Sequence, residues 1–209
     1  MSYILRYMVP EDVARLTEID RQSFPLPWSA KTYLYEIVEN QTSHMVLIED
    51  QLAIAGGPAG WFRRLLGRDA AQGDVIGFGG MWVISGEAHI SIVAVHPNYR
   101  RQHFGEVLVN RLLHRALVLG ADTCVLEVRA GNEAAQRLYI KYGFEVTGRR
   151  KKYYRDNAED ALIMIAGPLD AVYRAKLVAL TDALNTQVQV SDLLELTAPI
   201  RAPSINPTT

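Results

Sequence analysis

Apolar residues recur along this chain with two periods, one typical of β-strands and one typical of α-helices. Alternating or continuous apolar runs predict strands at residues 3–8, 43–49, 74–84, 88–95, 123–129, 144–147 and 161–166. Apolar residues spaced three and four apart predict helices that begin near Pro10, Ser29, Val107, Asn132 and Ala171. Strands interleaved with helices predict an α/β fold.

Each predicted helix has an apolar face that we expect to be buried. These faces consist of Val13, Leu16, Ile19 and Ser23; Leu34, Ile37 and Val38; Val107, Leu108, Leu112, Leu113, Ala116 and Leu117; Ala134, Ala135, Leu138 and Tyr142; and Tyr173, Leu177, Leu180 and Leu184. Ser29 and Asn132 are expected to cap helix N-termini, and Gly120 and Gly143 are expected to end helices. In the strand 123–129, alternation directs Cys124, Leu126 and Val128 to one face and Val125, Glu127 and Arg129 to the other.

The 209 residues suit one main domain at 1–169, followed by a C-terminal helix and a partly disordered tail at 170–209. Residues 51–73 interrupt the pattern. Their Gly-Gly-Pro start favours a mobile insertion, although residues 61–68 could form a basic amphipathic turn that touches an acidic partner or a membrane surface. Residues 197–209 hold three prolines, so we expect disorder there.

Composition excludes several classes of protein. The net charge of −1 gives no bulk attraction to nucleic acid. No apolar run reaches 18 residues, so we expect no membrane span, and the N-terminus becomes acidic too early for a signal peptide. The single cysteine, Cys124, permits no internal disulfide and fits a reducing, cytoplasmic location. The oligomeric state, monomer or homodimer, stays open.

The segment after the strand 88–95 predicts an anion site. His96-Pro97-Asn98 ends the strand, a polar loop with Arg100 and Arg101 follows, and a helix begins near Val107. The first N–H groups of a helix have no internal partner and lie at its positive end, so they can bind a pyrophosphate. The loop lacks the Lys-Ser/Thr of a Walker loop and the GxGxxG of a dinucleotide fold. The alternative is a basic, solvated turn.

This loop resembles the acyl-CoA loop of GNAT acetyltransferases, Arg/Gln-x-x-Gly-x-Gly/Ala, with His103 in place of the first glycine. Three further segments follow the same family in order: residues 24–29 (FPLPWS), 126–132 (LEVRAGN) and 138–144 (LYIKYGF). Together they resemble the ribosomal-protein-alanine N-acetyltransferase (RimI) type over residues 3–169. The insertion and the tail lie outside the resemblance.

The resemblance implies a mixed sheet with helices on both faces and two splayed parallel strands that hold acetyl-CoA. It implies that Glu127 is the general base, that Tyr139 is the general acid and that no metal takes part. It implies cofactor contacts from the backbone of Val93 and Val95, from the loop Arg100, Arg101, Gln102, His103, Phe104, Gly105 and Glu106, and from Asn132. Taken alone, Glu127 could instead pair with Arg129, and Tyr139 could be a core aromatic residue.

Transfer of an acetyl group from a thioester to an amine requires the amine to lose a proton and the leaving thiolate to gain one. A carboxylate can accept the first proton and a phenol can donate the second. We predict direct transfer without an acyl-enzyme, because strand parity turns Cys124 away from Glu127 and into packing.

The acceptor is expected to be a protein N-terminus, possibly of a ribosomal protein, reached through a slot walled by Phe24, Leu26, Trp28, Tyr153 and Tyr154. For residues 24–28, the alternative is a linker between helices whose aromatic side chains pack on the core. Acetylation of lysine or of a small amine is the alternative within the enzyme class. A non-catalytic acyl-CoA sensor is the alternative outside it.

Overall fold

The structure, a computed structural model, describes residues 3–51 and 73–194. Its strands are β1 Tyr3–Tyr7, β2 Ser43–Asp50, β3 Asp74–Ile84, β4 Glu87–Val95, β5 Thr123–Arg129, β6 Glu145–Tyr154, β7 Glu159–Ala166 and β8 Val190–Asp192. Its α-helices are α1 Val13–Ser23, α2 Ala30–Leu34, α3 Phe104–Val118, α4 Glu133–Lys141 and α5 Ala171–Asn185. The predictions for the insertion and for the end of the tail fall on residues 52–72 and 195–209, outside the described ranges.

The strands form one sheet in the order β6-β7-β5-β4-β3-β2-β1-β8. The pairs β4–β5 and β1–β8 are parallel, and the other neighbours are antiparallel. The predicted mixed sheet is therefore confirmed. The short strand β8 had no counterpart in the predictions, since three residues are too few to carry a period.

Helices cover both faces of the sheet. On one face α1 and α2 enclose a core with Leu16, Ile19, Tyr33 and Phe78. On the other face α3 and α5 pack together, and their residues Leu108, Leu112, Leu177 and Leu184 join a second core. Within the described part of the chain, no helix is both long enough and apolar enough to cross a membrane.

The strands β4 and β5 pair over only half of their length. Their parallel register runs from Glu87 opposite Thr123 to Ile90 opposite Leu126. The pairing of β4 with β3 is shifted directly after Ile90, where Ser91 is an extra residue between the pairs Met81–Ile90 and Gly80–Ile92. A β-bulge bends its strand. Beyond it the two strands diverge and leave an opening in the sheet.

Two residues of the predicted apolar faces are exposed. Leu34 is 41% exposed, whereas the neighbouring Tyr33 is fully buried among the rings of Trp28 and Phe78. The buried face is therefore turned by one residue, to Tyr33 and Ile37. Ala134 is also exposed, because α4 lies at the edge of the opening and this residue faces the cleft.

The basic segment 149–154 belongs to a strand, which corrects the prediction that strand 144–147 ends before it. β6 continues to Tyr154, with Arg150 opposite Ala161 and an irregularity before Tyr154 opposite Glu159. β6 is an edge strand with both faces largely exposed, so it accommodates charged residues at successive positions. The run of four basic residues before Tyr153 and Tyr154 therefore concealed its length.

Candidate active site

The opening between β4 and β5 forms a cleft of about 1090 Å³. All but one of the predicted site residues line it, namely Phe24, Leu26, Trp28, Val93, Val95, Arg100, Arg101, His103, Phe104, Gly105, Glu106, Glu127, Asn132, Tyr139, Tyr153 and Tyr154. Gln102 lies outside the cleft, where its side-chain amide donates to the carbonyl of Asn98 at 3.3 Å. Segments far apart in sequence thus meet at one place.

The loop before α3 presents backbone donors to this cleft. Arg101 and His103 both have positive φ, 61° and 65°. His103 is the N-cap residue of α3, and no side chain in the described ranges provides a capping hydrogen bond there. The backbone N–H groups of Phe104, Gly105 and Glu106 are therefore open to a ligand at the positive end of a 15-residue helix. These donors fit a pyrophosphate, the anionic group of acetyl-CoA.

Arg100 and Glu106 of this loop also have partners within the protein. Arg100 donates from Nε to the carbonyl of Val95 at 3.1 Å and from Nη2 to Ser23 Oγ at 3.3 Å. Glu106 forms an ion pair with Lys141 and accepts from the hydroxyl of Tyr142 at 3.2 Å. Burial acts to raise the pKa of Glu106, but hydrogen bonds from Lys141 and its other partners outweigh burial and lower it. Glu106 therefore ties the start of α3 to the end of α4.

The backbone of β4 is open toward the cleft. The N–H of His96 donates to the carbonyl of Ile76 on β3 at 2.9 Å. Because backbone polar groups alternate in direction along a strand, those of Val93 and Val95 point the other way, toward β5. No strand pairs with them there in the described structure. The carbonyl of Val95 accepts from Arg100, whereas the backbone groups of Val93 and the N–H of Val95 fit the amides of an extended ligand such as pantetheine.

Glu127 is held on both of its oxygens. Its side chain is 10% exposed, with Oε2 at 2.7 Å from His89 Nε2 and Oε1 at 3.2 Å from Arg150 Nη1. The alternative pairing with Arg129 is wrong, since Arg129 binds Asp156 at 2.9 Å and Glu159 at 3.0 Å. Sequence reasoning missed His89 and Arg150 as partners of Glu127. His89 reaches Glu127 from the adjacent strand β4, and Arg150 reaches it from β6, which is separated from β5 by β7.

Tyr139 and Asn132 lie on the helix that borders the cleft. Asn132 accepts from the N–H of Ala135 at 3.2 Å, which confirms it as the N-cap of α4. Tyr139 packs against Phe144 with ring centroids 5.7 Å apart. Burial, with smaller contributions from Tyr154 and Cys124, raises the pKa of Tyr139 to about 12. Its hydroxyl therefore stays protonated at neutral pH and can donate.

Aromatic side chains from two segments form the remaining wall. Phe24 and Trp28 pack against the α1–α2 core, as the linker alternative expects, and they also line the cleft. Leu26 is 61% exposed. Tyr153 and Tyr154 meet edge to face at 5.2 Å, and Tyr154 also lies 3.9 Å from the guanidinium carbon of Arg129.

Cys124 is not among the residues that line this cleft. Its side chain is fully buried, as strand parity predicted. Burial, with a smaller contribution from Glu87, raises the pKa of its thiol to about 12. A buried, protonated thiol is a poor nucleophile.

Comparison with known proteins gives the same family. Residues 13–144 match the model of the acetyltransferase (GNAT) family. The chain is 34% identical over 160 residues to a putative ribosomal protein bS18-alanine N-acetyltransferase of Bacillus subtilis, covering 77% of this chain and 92% of the relative. It is 31% identical over 155 residues to the ribosomal protein bS18-alanine N-acetyltransferase of Escherichia coli K12, covering 73% and 89%.

A solved structure agrees with these sequence matches. The crystal structure of the Escherichia coli ribosomal-protein-S18-alanine N-acetyltransferase aligns with a TM-score of 0.64 at 26% identity, covering 79% of this chain and 94% of that one. The loop before α3, whose open backbone N–H groups make it a donor loop, agrees with the splayed strands and with these matches. The chain belongs to the acetyltransferase (GNAT) family and is an N-acetyltransferase that takes its acetyl group from acetyl-CoA.

Proposed function

We propose that this enzyme acetylates the α-amine at the N-terminus of a protein, and that the natural acceptor is a ribosomal protein with an N-terminal alanine. The identity of the acceptor comes from the relatives, whose printed names describe that activity. We expect the reaction to take place in the cytoplasm. The single observation that carries the chemistry is that Glu127 and Tyr139 line the same cleft as the donor loop before α3.

Glu127 is proposed to accept the proton that the attacking amine loses. Its carboxylate lies in the wall of the cleft, on the strand that borders the opening. A carboxylate in contact with the amine takes up this proton as the new bond forms.

Tyr139 is proposed to donate a proton to the departing sulfur. Bound acetyl-CoA supplies an acetyl group that is activated as a thioester. The phenol of Tyr139 has a pKa of about 12, so it is protonated throughout the physiological range. Donation to a developing thiolate is therefore available at any working pH.

Energetics favour an α-amine as the acceptor. An α-amine has a pKa of ~8 and a lysine side chain one of ~10.4. At pH 7 the neutral form therefore costs about 1 kcal/mol for the α-amine and about 4.6 kcal/mol for lysine. A single carboxylate base is better matched to the α-amine, because deprotonation of the α-amine has the smaller cost. The aromatic wall of Phe24, Trp28, Tyr153 and Tyr154 supports a slot that admits a chain terminus.

The test compares two peptides that share one internal lysine and begin with alanine. One has a free α-amine and the other has a blocked N-terminus. We expect thiol release and acetylation at the α-amine of the first peptide, with no turnover of the second. Acetylation of the blocked peptide alone would reject the proposal in favour of lysine acetylation. If acetyl-CoA binds but no CoA thiol is released in the presence of either peptide, the result would favour the sensor.

A further inference from the structure

Glu127 has a second titratable residue in direct contact. His89 lies on β4, opposite Val125 in the parallel register, and reaches Glu127 from the strand that pairs with β5. Its Nε2 is 2.7 Å from Glu127 Oε2. When Glu127 is ionised it can only accept a hydrogen bond, so in that state Nε2 carries the hydrogen and His89 is the donor. His89 is not among the side chains that line the cleft.

Other side chains hold His89 in this position. The ring of Trp82 meets it edge to face, with centroids 5.4 Å apart. Trp82 is itself fixed, because its Nε1 donates to Oε2 of the buried Glu36 at 2.8 Å. The contacts therefore run from Glu36 through Trp82 and His89 to Glu127.

The donor on the other oxygen of Glu127 is of a different kind. Arg150 comes from the edge strand β6, and its long side chain is 52% exposed, compared with 29% for His89. A long, exposed side chain loses rotamer freedom when it is held in one geometry, so its hydrogen bond is easily exchanged. The His89 bond is short and comes from within the sheet.

We propose that His89 is a positioning residue for the acetyl transfer, acting through Glu127. The imidazole N–H holds the carboxylate in one plane, so that it is oriented toward the proton of the acceptor amine. The oxygen that Arg150 contacts is then the one that the amine approaches. This inference rests on the proposed function, since it assigns a partner to the proposed base.

Two amide substitutions of His89 separate positioning from packing. In His89→Gln the side-chain amide nitrogen takes nearly the place of Nε2 and can still donate to Glu127. In His89→Asn the amide ends one carbon shorter and cannot reach. We expect His89→Asn to lower kcat by roughly tenfold or more, below the roughly 10²–10⁴ contributed by the base itself. His89→Gln should restore kcat, with acetyl-CoA affinity unchanged in either variant.

A double-mutant cycle tests whether His89 acts through Glu127. In the Glu127→Gln background, His89→Asn should cost nothing further, because the group that it positions has been replaced. Independent, multiplicative losses would overturn the inference, as would a His89→Asn enzyme with the kcat of the parent. Full activity of Glu127→Gln alone would instead overturn the proposed role of Glu127, so the two failures are distinguishable.

Discussion

The carboxylate of Asp20 accepts a hydrogen bond from the backbone N–H of Trp28 at 2.6 Å. Asp20 is fully buried near the end of α1, and Trp28 closes the turn that carries the aromatic wall of the cleft. Burial raises the pKa of Asp20, although the hydrogen bond from Trp28 acts in the opposite direction. The turn that borders the proposed acceptor slot is therefore anchored by one carboxylate.

We expect Asp20→Ala to destabilise the fold and weaken acceptor binding. The substitution leaves the N–H of Trp28 without its partner, which costs roughly 1–3 kcal/mol. Urea unfolding should show this loss, and the KM for the peptide should rise while acetyl-CoA affinity is kept. An unchanged peptide KM would show that the turn does not shape the slot.

Asp20→Asn is the matched control, because its amide oxygen can still accept from Trp28. The native pKa of Asp20 is raised, so its contribution to stability is complete below its unfolded value of about 3.9 and is lost as pH rises through the native value. The asparagine variant has no such loss. Its stability relative to the parent should therefore improve from acid to neutral pH, and a constant difference in urea unfolding across pH would contradict this.

Tyr139→Phe should lower kcat by roughly 10²–10⁴ without changing the affinity for acetyl-CoA. The phenol is the proposed proton donor, and its pKa of about 12 keeps it protonated. For the same reason, the parent enzyme should show no basic limb from this group below about pH 11. Tyr154→Phe is the control, since that ring lies in the same cleft and its loss of a hydroxyl should leave kcat nearly unchanged. Equal losses of kcat in Tyr139→Phe and Tyr154→Phe would reject Tyr139 as the proton donor.

Cys124→Ala should retain turnover. The thiol is fully buried and its pKa is about 12, so it has no access to the acetyl group. A stability loss in the usual range of roughly 0.5–3 kcal/mol is expected from the removal of a core atom. Steady-state kinetics with acetyl-CoA and an alanine-terminated peptide provide the measurement. Abolished turnover with intact acetyl-CoA binding would indicate an acyl-enzyme.

Substitution of His103 tests whether the loop before α3 binds acetyl-CoA through its backbone. Its φ of 65° is unfavourable for any residue with a Cβ atom, by roughly 1–2 kcal/mol. His103→Gly should therefore be more stable than His103→Ala in thermal unfolding, by about that amount. Acetyl-CoA affinity by calorimetry should be similar in both variants and the parent. A shared loss of affinity would assign a role to the imidazole.

Glu106→Gln should destabilise the enzyme at neutral pH and have less effect in acid. The pKa of Glu106 is lowered in the folded state, so its stabilising contribution is present above its unfolded value of about 4.3 and is lost as pH falls through the native value. Urea unfolding of parent and variant at pH 7 and in acid measures this. A difference that does not shrink in acid would show that the ion pair with Lys141 contributes little.

Much of the fold and several local features were predictable because short-range periodicity determines them. The strand 123–129 alternates as predicted and buries Cys124, Leu126 and Val128. Asn132 caps α4 through a contact only three residues away. The roles of Glu127 and Tyr139, in contrast, came from resemblance to a family, and they remain proposals.

The register of β4 was beyond the reach of the sequence. Residues Ala88, Ile90, Ile92 and Ala94 look like one buried face of a strand, since they alternate without a break. The bulge at Ser91 instead sends the first two into the α3–α5 core and the last two into the α1–α2 core. One extra residue in a strand reverses which face every later side chain occupies. Such a shift depends on the neighbouring strand β3, which contributes no signal to the sequence of β4.

The sequence by itself determined most of the elements, the polar loop at the start of a helix and the residue types needed for proton transfer, because each depends on neighbours within a few positions. Only the tertiary structure decided that Glu127 meets His89 and Arg150, and that Asp20 holds Trp28. Those contacts depend on strand order, register and loop closure. These features arise when distant segments bury their apolar surface together, and no local period encodes them.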